Sequence, residues 1–279
     1  MDLSISKKIS SLERDYILDL LEKGTRVDGR GLLEYREIKI DAGHILKSEG
    51  SARVFIGDTE IDVGVKYDLG TPYPDSPDEG VITCMAEFVP SASPMFESGP
   101  PREDAIELAR VVDRGIRHSN LIDKKKLCVV PGKEVFILFV DIYYMDHNGN
   151  GIDTASLAAI SALKSVQLPK LEQKVINEQT FQAPTGETYP LDIDDYPVTI
   201  TFSKIDNHMI VDPNLIEELI AEARVSFCLN KNGQITSIQK NGKGTFSAEE
   251  LVKAAKNARD LAPMLQQKVK EYTRDLTGM

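Results

Sequence analysis

VFILFVDIYYM at Val135–Met145, DHNGNG at Asp146–Gly151 and TASLAAISALKSV at Thr154–Val166 together form the stretch on which the fold turns. The first part is a continuous run of Val, Ile, Leu, Phe and Tyr, the pattern of a strand buried on both faces. The polar, glycine-bearing turn stops it, and the small apolar residues beyond predict a helix from about Thr154 to Val166. A strand that hands the chain directly to an apolar helix sets that helix back on the sheet, as in α+β proteins.

Working upstream, Glu103–His118 carries Ala105, Leu108, Ala109, Val112 and Ile116 on one side at about 100° per residue, the spacing of a helix packed on a sheet. Before it, Tyr67–Pro101 is rich in Pro, Gly, Asp and Ser and reads as loop around one strand. Tyr35–Asp41, Ala52–Ile56, Thr59–Tyr67 and Val81–Val89 alternate or run apolar between Gly50, Gly57 and Asp58, and predict an antiparallel meander. Ahead of these, Ile5, Ile9, Leu12, Tyr16 and Leu20 share one face of a helix from about Ile5 to Lys23, which Gly24 stops.

Downstream, Pro169–Asp195 is polar and proline-bearing and reads as the connection between two lobes. The second half repeats the grammar, with strands expected at Val198–Lys204, Met209–Val211, Arg224–Leu229 and Ile235–Gln239 and a Lys231-Asn232-Gly233 turn. Ser247 with Glu250 three residues on is a capping box, opening a last helix that Pro263 should kink on the way to Leu276. Strands then helix, twice, give an α+β protein with helices on one sheet face. The expected division is an N-terminal helix over residues 1–25, a first lobe over 26–190 and a second over 191–279.

At 279 residues and 41% hydrophobic, the chain can bury one large core or two modest ones. No run of about 18 apolar residues and no signal-like start is present, so a cytoplasmic protein without membrane spans is expected. Cys84, Cys128 and Cys228 stand far apart in apolar strand segments and read as free core thiols. Neither they nor the four scattered histidines have metal-ligand spacing; His147 beside a turn reads as solvated or capping, and no metal or cofactor is expected. Forty-four acidic against 33 basic residues leave a net charge of -11, so contact with nucleic acid would rest on a few placed arginines or on a basic partner.

Arg26-Val27-Asp28-Gly29-Arg30 after the first helix, Gly50-Ser51-Ala52, Gly57-Asp58-Thr59, the block Ile106–Arg114 and the glycine-flanked turn before Ala155 and Ser156 together resemble the RNase PH family over almost the whole chain. The order and spacing of these short motifs, rather than any one of them, make the resemblance specific. The long N-terminal helix, Gly99-Pro100-Pro101 and Val211-Asp212-Pro213 look most like the branch of that family that forms the non-catalytic subunits of archaeal exosome rings. The resemblance implies the RNase PH fold, two βαβ-type lobes like domain 2 of ribosomal protein S5. It further implies a hexameric ring, three of each subunit alternating with a catalytic RNase PH-like partner and capped by RNA-binding proteins. In that ring, inorganic phosphate shortens single-stranded RNA from its 3′ end.

Phosphorolysis requires cations around the incoming phosphate, which must approach an already negative phosphodiester. In catalytic relatives a Gly-Thr-Arg-like turn at a helix start supplies one of them. The matching turn here is Gly151-Ile152-Asp153-Thr154, with Asp153 where the arginine is expected; locally, Asp153 also reads as a helix N-cap. The arginine pair of catalytic relatives falls on Glu103 and Asp104. Asp212 and Glu218, six apart, match the catalytic acid pair in position. Locally they read as a turn before Pro213 and as solvated helix charges beside Glu217, and that local reading is the favoured one. Thus the resemblance implies a degenerate phosphate site of Asp153, Glu103 and Asp104 with vestigial acids Asp212 and Glu218.

Arg110, Arg114 and Arg117 lie within about 60° of each other on their helix, opposite the apolar stripe. By the resemblance they line the RNA path; read locally, they form a solvated face with Glu107–Arg110 and Asp113–Arg117 pairs. Two other readings compete: a self-sufficient RNase PH-type phosphorolytic exoribonuclease, which needs the cations Asp153, Glu103 and Asp104 displace, and a small-molecule kinase with a similar lobe. Gly242-Lys243-Gly244 lacks the rest of a nucleotide-binding loop and reads as a turn before Ser247.

Overall fold

The computed structural model describes residues 9–176 and 179–274. Its first sheet is built from β1 (Ile38–Ala42), β2 (Gly50–Ile56), β3 (Thr59–Gly70) and β4 (Val81–Phe88), joined after helix α2 (Glu103–His118) by β5 (Cys128–Val130) and β6 (Glu134–Asp146). The spatial order is β1-β2-β3-β6-β4, with β5 beside β6. Every pairing is antiparallel except β4 with β6. The expected meander therefore ends at β3. The α2 crossover brings β6 in between β3 and β4, and β4 then lies parallel to it.

Helix α3 (Gly151–Lys164) follows β6 and starts three residues earlier than the sequence pattern suggests. It is buried on every side from Gly151 to Leu163, because the second sheet covers the face the first does not. Its alanines let backbones come close: a Cβ on Gly50 of β2 would stand 2.5 Å from the Ala162 carbonyl oxygen. The second sheet runs β10-β9-β11-β12, from β9 (Val198–Ile205), β10 (His208–Val211), β11 (Ala223–Leu229) and β12 (Ile235–Gly242). Short α4 (Leu215–Ile220) joins β10 to β11, and long α5 (Ala248–Arg274) packs on β9, β11 and α3. Both halves of the Ser247–Glu250 capping box are formed, and α5 runs through Pro263 without ending. One apolar cluster joins both sheets, from Ile38 through Leu157 to Val269.

Four expectations are corrected. Buried and part-exposed residues alternate along β6, because α2 and α3 cover one face while Phe139, Asp141 and Tyr143 point to the other. Pro169–Asp195 is largely a β-hairpin, β7 (Gln167–Ile176) with β8 (Gln179–Pro190), its prolines tolerated because a two-stranded ribbon is all edge. In α1 (Ser11–Glu22) the buried residues are Ile17 and Leu21, packed on Ile205 and Ile210, while Leu12 and Tyr16 are exposed; Ile5 and Leu276 lie outside the described residues. Of the three free cysteines, only Cys228 is buried as a whole residue; Cys84 and Cys128 are partly exposed. No described helix is long and apolar enough to cross a membrane.

Candidate functional site

Where β6, the first turn of α3, α2 and α4 meet, they enclose a cavity of about 370 Å³. One wall is aromatic. Phe96 stacks on His147 with ring centroids 5.1 Å apart, and Phe88 and Tyr144 complete the group. His147 is thus packed rather than solvated, its Nδ1 lying 2.8 Å from the Tyr144 hydroxyl. Burial pushes its imidazole below its ordinary range, so it adds no positive charge at neutral pH.

The polar wall is acidic. Asp104, Glu107 and Glu218 face a single guanidinium, Arg224, which pairs with Glu218 at 2.7 Å and with Glu107 at 3.0 Å. Burial works against the charged form of Arg224, but the two carboxylates outweigh it and hold the arginine more firmly protonated than usual. The other oxygen of Glu218 accepts the backbone N–H of Asn150, the N-cap of α3, at 3.0 Å. A carboxylate of the protein's own therefore sits at the positive end of α3, where an anion would otherwise bind. Asn150 is left-handed at φ +56° and Gly149 precedes it at φ +83°; a Cβ on Gly149 would meet the Pro213 carbonyl oxygen at 2.4 Å. This turn needs its glycine to lie so close to α4.

Among the sequence-singled acids, only Asp104 and Glu218 reach this cavity. Glu103 is exposed on the first turn of α2. Asp153 is neither N-cap nor cavity wall. It lies within the first turn of α3 and is fully buried against β9, accepting from Thr201 N–H at 3.1 Å, Thr201 hydroxyl at 2.7 Å and Tyr35 hydroxyl at 2.7 Å. Burial raises its carboxyl to about 7 in spite of these donors.

Asp212 and Glu217 are not solvated either. The Asp212 carboxylate is fully buried and accepts from Arg36 at 2.7 and 2.8 Å, Arg30 at 2.9 Å and Asn150 at 2.8 Å. Burial alone would raise its carboxyl; the Arg36 guanidinium outweighs that and holds it below the ordinary range. Glu217 is buried against Arg26, which also donates to the Val211 and Asp212 carbonyls at 2.9 and 2.8 Å. Here the Arg26–Arg30 motif clasps the end of β10 and the start of α4.

On the outer side of α2 the three arginines are held differently. Arg117 pairs with Asp113 at 2.9 Å, as its spacing suggests. Arg114 donates to the Gln239 side-chain oxygen of β12 at 3.0 Å. Arg110 is exposed and its side chain has no partner among the described residues, because Glu107 turns away from it towards Arg224 and Asn241. Sequence reasoning missed Arg224, Asn150 and Gln239. Each has its partner far along the chain; Asn150 lies in the glycine-flanked turn, but Arg224 and Gln239 lie in no motif.

The domain 1 model of the 3′ exoribonuclease family, RNase PH, matches residues 34–169, and its domain 2 model matches residues 195–260. The chain is 44% identical over 270 residues to the exosome complex component Rrp42 of Thermococcus onnurineus, covering 96% of this chain and 98% of the relative. Among solved structures it is similar to a chain of the Archaeoglobus fulgidus exosome with RNA bound to the active site. That match has a TM-score of 0.84 at 40% identity and covers 92% of this chain and 97% of that one. An archaeal exosome core gives 0.81 at 37% identity over 93% and 96%.

Proposed function

Because this chain belongs to the RNase PH family of 3′ exoribonucleases, we propose that it is a ring subunit of an archaeal exosome that grips single-stranded RNA and leaves phosphorolysis to a catalytic RNase PH-like partner. The ring alternates three copies of each and carries RNA-binding cap proteins. The similarity to Rrp42 proteins and to exosome cores supports the ring assignment.

The observation that carries the non-catalytic part is the sign of the cavity wall. Three carboxylates face one guanidinium, and that guanidinium is already shared between two of them. Phosphate entering would meet a net negative site, at a cost on the order of several kcal/mol at reduced effective dielectric. Its place at the start of α3 is held by Glu218. Asp212, matched in position to a catalytic acid, is bound to two arginines and has no free oxygen to offer a reacting group.

For grip, Arg110 and Arg114 stand one helical turn apart, about 5.4 Å, a spacing that follows successive phosphates without reading bases. Their charges are not cancelled by a carboxylate; that of Arg117 is. Two measurements test this reading. The purified chain alone should show no phosphate-dependent trimming of RNA, while the chain with its catalytic partner should; trimming by the chain alone sinks the non-catalytic part. Arg110→Glu with Arg114→Glu should leave the ring's mass unchanged and lower the salt slope of RNA binding by about 1.4, the share of two phosphate contacts on a single strand. An unchanged slope refutes the grip.

A further inference from the structure

Arg114 is held by a neutral group that is itself oriented from behind. Its Nη1 donates to Oε1 of Gln239 at 3.0 Å, and Gln239 Nε2 donates to the Glu107 carboxylate at 3.4 Å. A guanidinium only donates and a carboxylate only accepts, so a single orientation of the amide satisfies both neighbours. Glu107 is fixed in turn by Arg224 at 3.0 Å and by Asn241. The chain of bonds thus runs from the cavity wall, through β12, to the outer face of α2.

We infer that Gln239 is a positioning residue for RNA contact: it anchors the Arg114 guanidinium through an uncharged acceptor, so that the arginine is held in place and keeps its whole charge for a phosphate. This inference rests on the RNA role proposed for the α2 face. Asp113 shows the contrast on the same helix, since it holds Arg117 and cancels it. A carboxylate in place of Gln239 would do the same to Arg114. An apolar side chain there would leave the charge but free the guanidinium, which would then lose rotamer entropy on binding.

The test uses the assembled ring and a labelled single-stranded oligoadenylate over a potassium chloride series. The variants are Gln239→Met, Gln239→Glu, Arg114→Met and the Gln239→Met, Arg114→Met double. Gln239→Met should bind about threefold to tenfold more weakly at unchanged salt slope, the cost of immobilising one rotamer-rich side chain on binding. Gln239→Glu should bind more weakly with its slope reduced by about 0.7, one phosphate contact on a single strand. In the Arg114→Met background, Gln239→Met should add nothing. Unchanged affinity and slope in both Gln239 variants, or a Gln239→Met loss that persists in full without Arg114, overturns the inference while the grip reading stands. If Arg114→Met itself leaves binding unchanged, the grip reading falls and takes the inference with it. Gln239→Ser, with the same expectations, replaces Gln239→Met if that ring fails to assemble.

Discussion

Asp153 is a carboxyl group without exposed surface, surrounded by the donors of Thr201 and Tyr35. Burial sets its folded-state titration at about 7, well above the ordinary 3.8. A raised carboxyl takes up a proton on folding, so its stabilising contribution is complete below about pH 4 and is lost as pH rises through about 7. Asparagine with its carbonyl oxygen at the Oδ2 position keeps the acceptor for the Thr201 N–H and the Tyr35 hydroxyl, and its amide donates to the Thr201 hydroxyl, whose own hydrogen can turn to Ser226. Relative to the parent chain, Asp153→Asn should therefore gain stability between pH 5 and 8, on the order of a few kcal/mol. Denaturant midpoints at the two pH values check this, and parallel curves would exclude it. At this scale the residue types at the turn were readable in the sequence, but their directions were not. Whether a helix-start carboxylate caps, faces a cavity or turns inward depends on what β9 places beside it.

The segment 26–36, β10 and the turn before α3 are joined at Asp212, whose carboxylate binds Arg30, Arg36 and Asn150. Removing that carboxylate leaves the largely buried Arg36 guanidinium without a carboxylate partner and Arg30 with Asp28 alone. Asp212→Ala should cost about 3–5 kcal/mol in urea unfolding, whereas a surface turn residue would cost within about half a kcal/mol. Because the Asp212 carboxyl is held low, the clasp's contribution is present above its ordinary 3.8 and fades as pH falls below it. Ser247→Ala, which opens the formed capping box of α5, should cost about 1 kcal/mol. Helix α2 was legible to the residue because its apolar stripe is wide and its partners lie on one side. Helix α1 was not: its apolar residues fit two faces, and the pocket of Ile205 and Ile210 selects Ile17 and Leu21. The β7–β8 hairpin was missed because its polar, proline-bearing sequence carries no alternation strong enough to outweigh its turn signals.

For the whole molecule, a net charge of -11 works against RNA, so the grip proposed for α2 would be local and would depend on assembly. The isolated chain should bind single-stranded RNA at least about tenfold more weakly than the assembled ring at the same salt, since the ring adds its partner's cations and repeats each contact. Equal affinities would show that the chain needs no partner to hold RNA. The order of the main strands and helices, apart from β5 and the β7–β8 hairpin, the family and the sign of the charges near the helix starts were determined by the sequence alone, because each follows from local periodicity or from the identity of a residue. Tertiary structure decided which carboxylate occupies the start of α3, Glu218 in place of Asp153, and which arginine keeps its charge. Those outcomes depend on groups brought together from distant parts of the chain: Glu107 meets Arg224 across 117 residues, Asn150 meets Glu218 across 68, and Arg114 meets Gln239 across 125. A hydrogen bond between such groups has no sequence period to announce it; it exists only once both sheets have closed on α3.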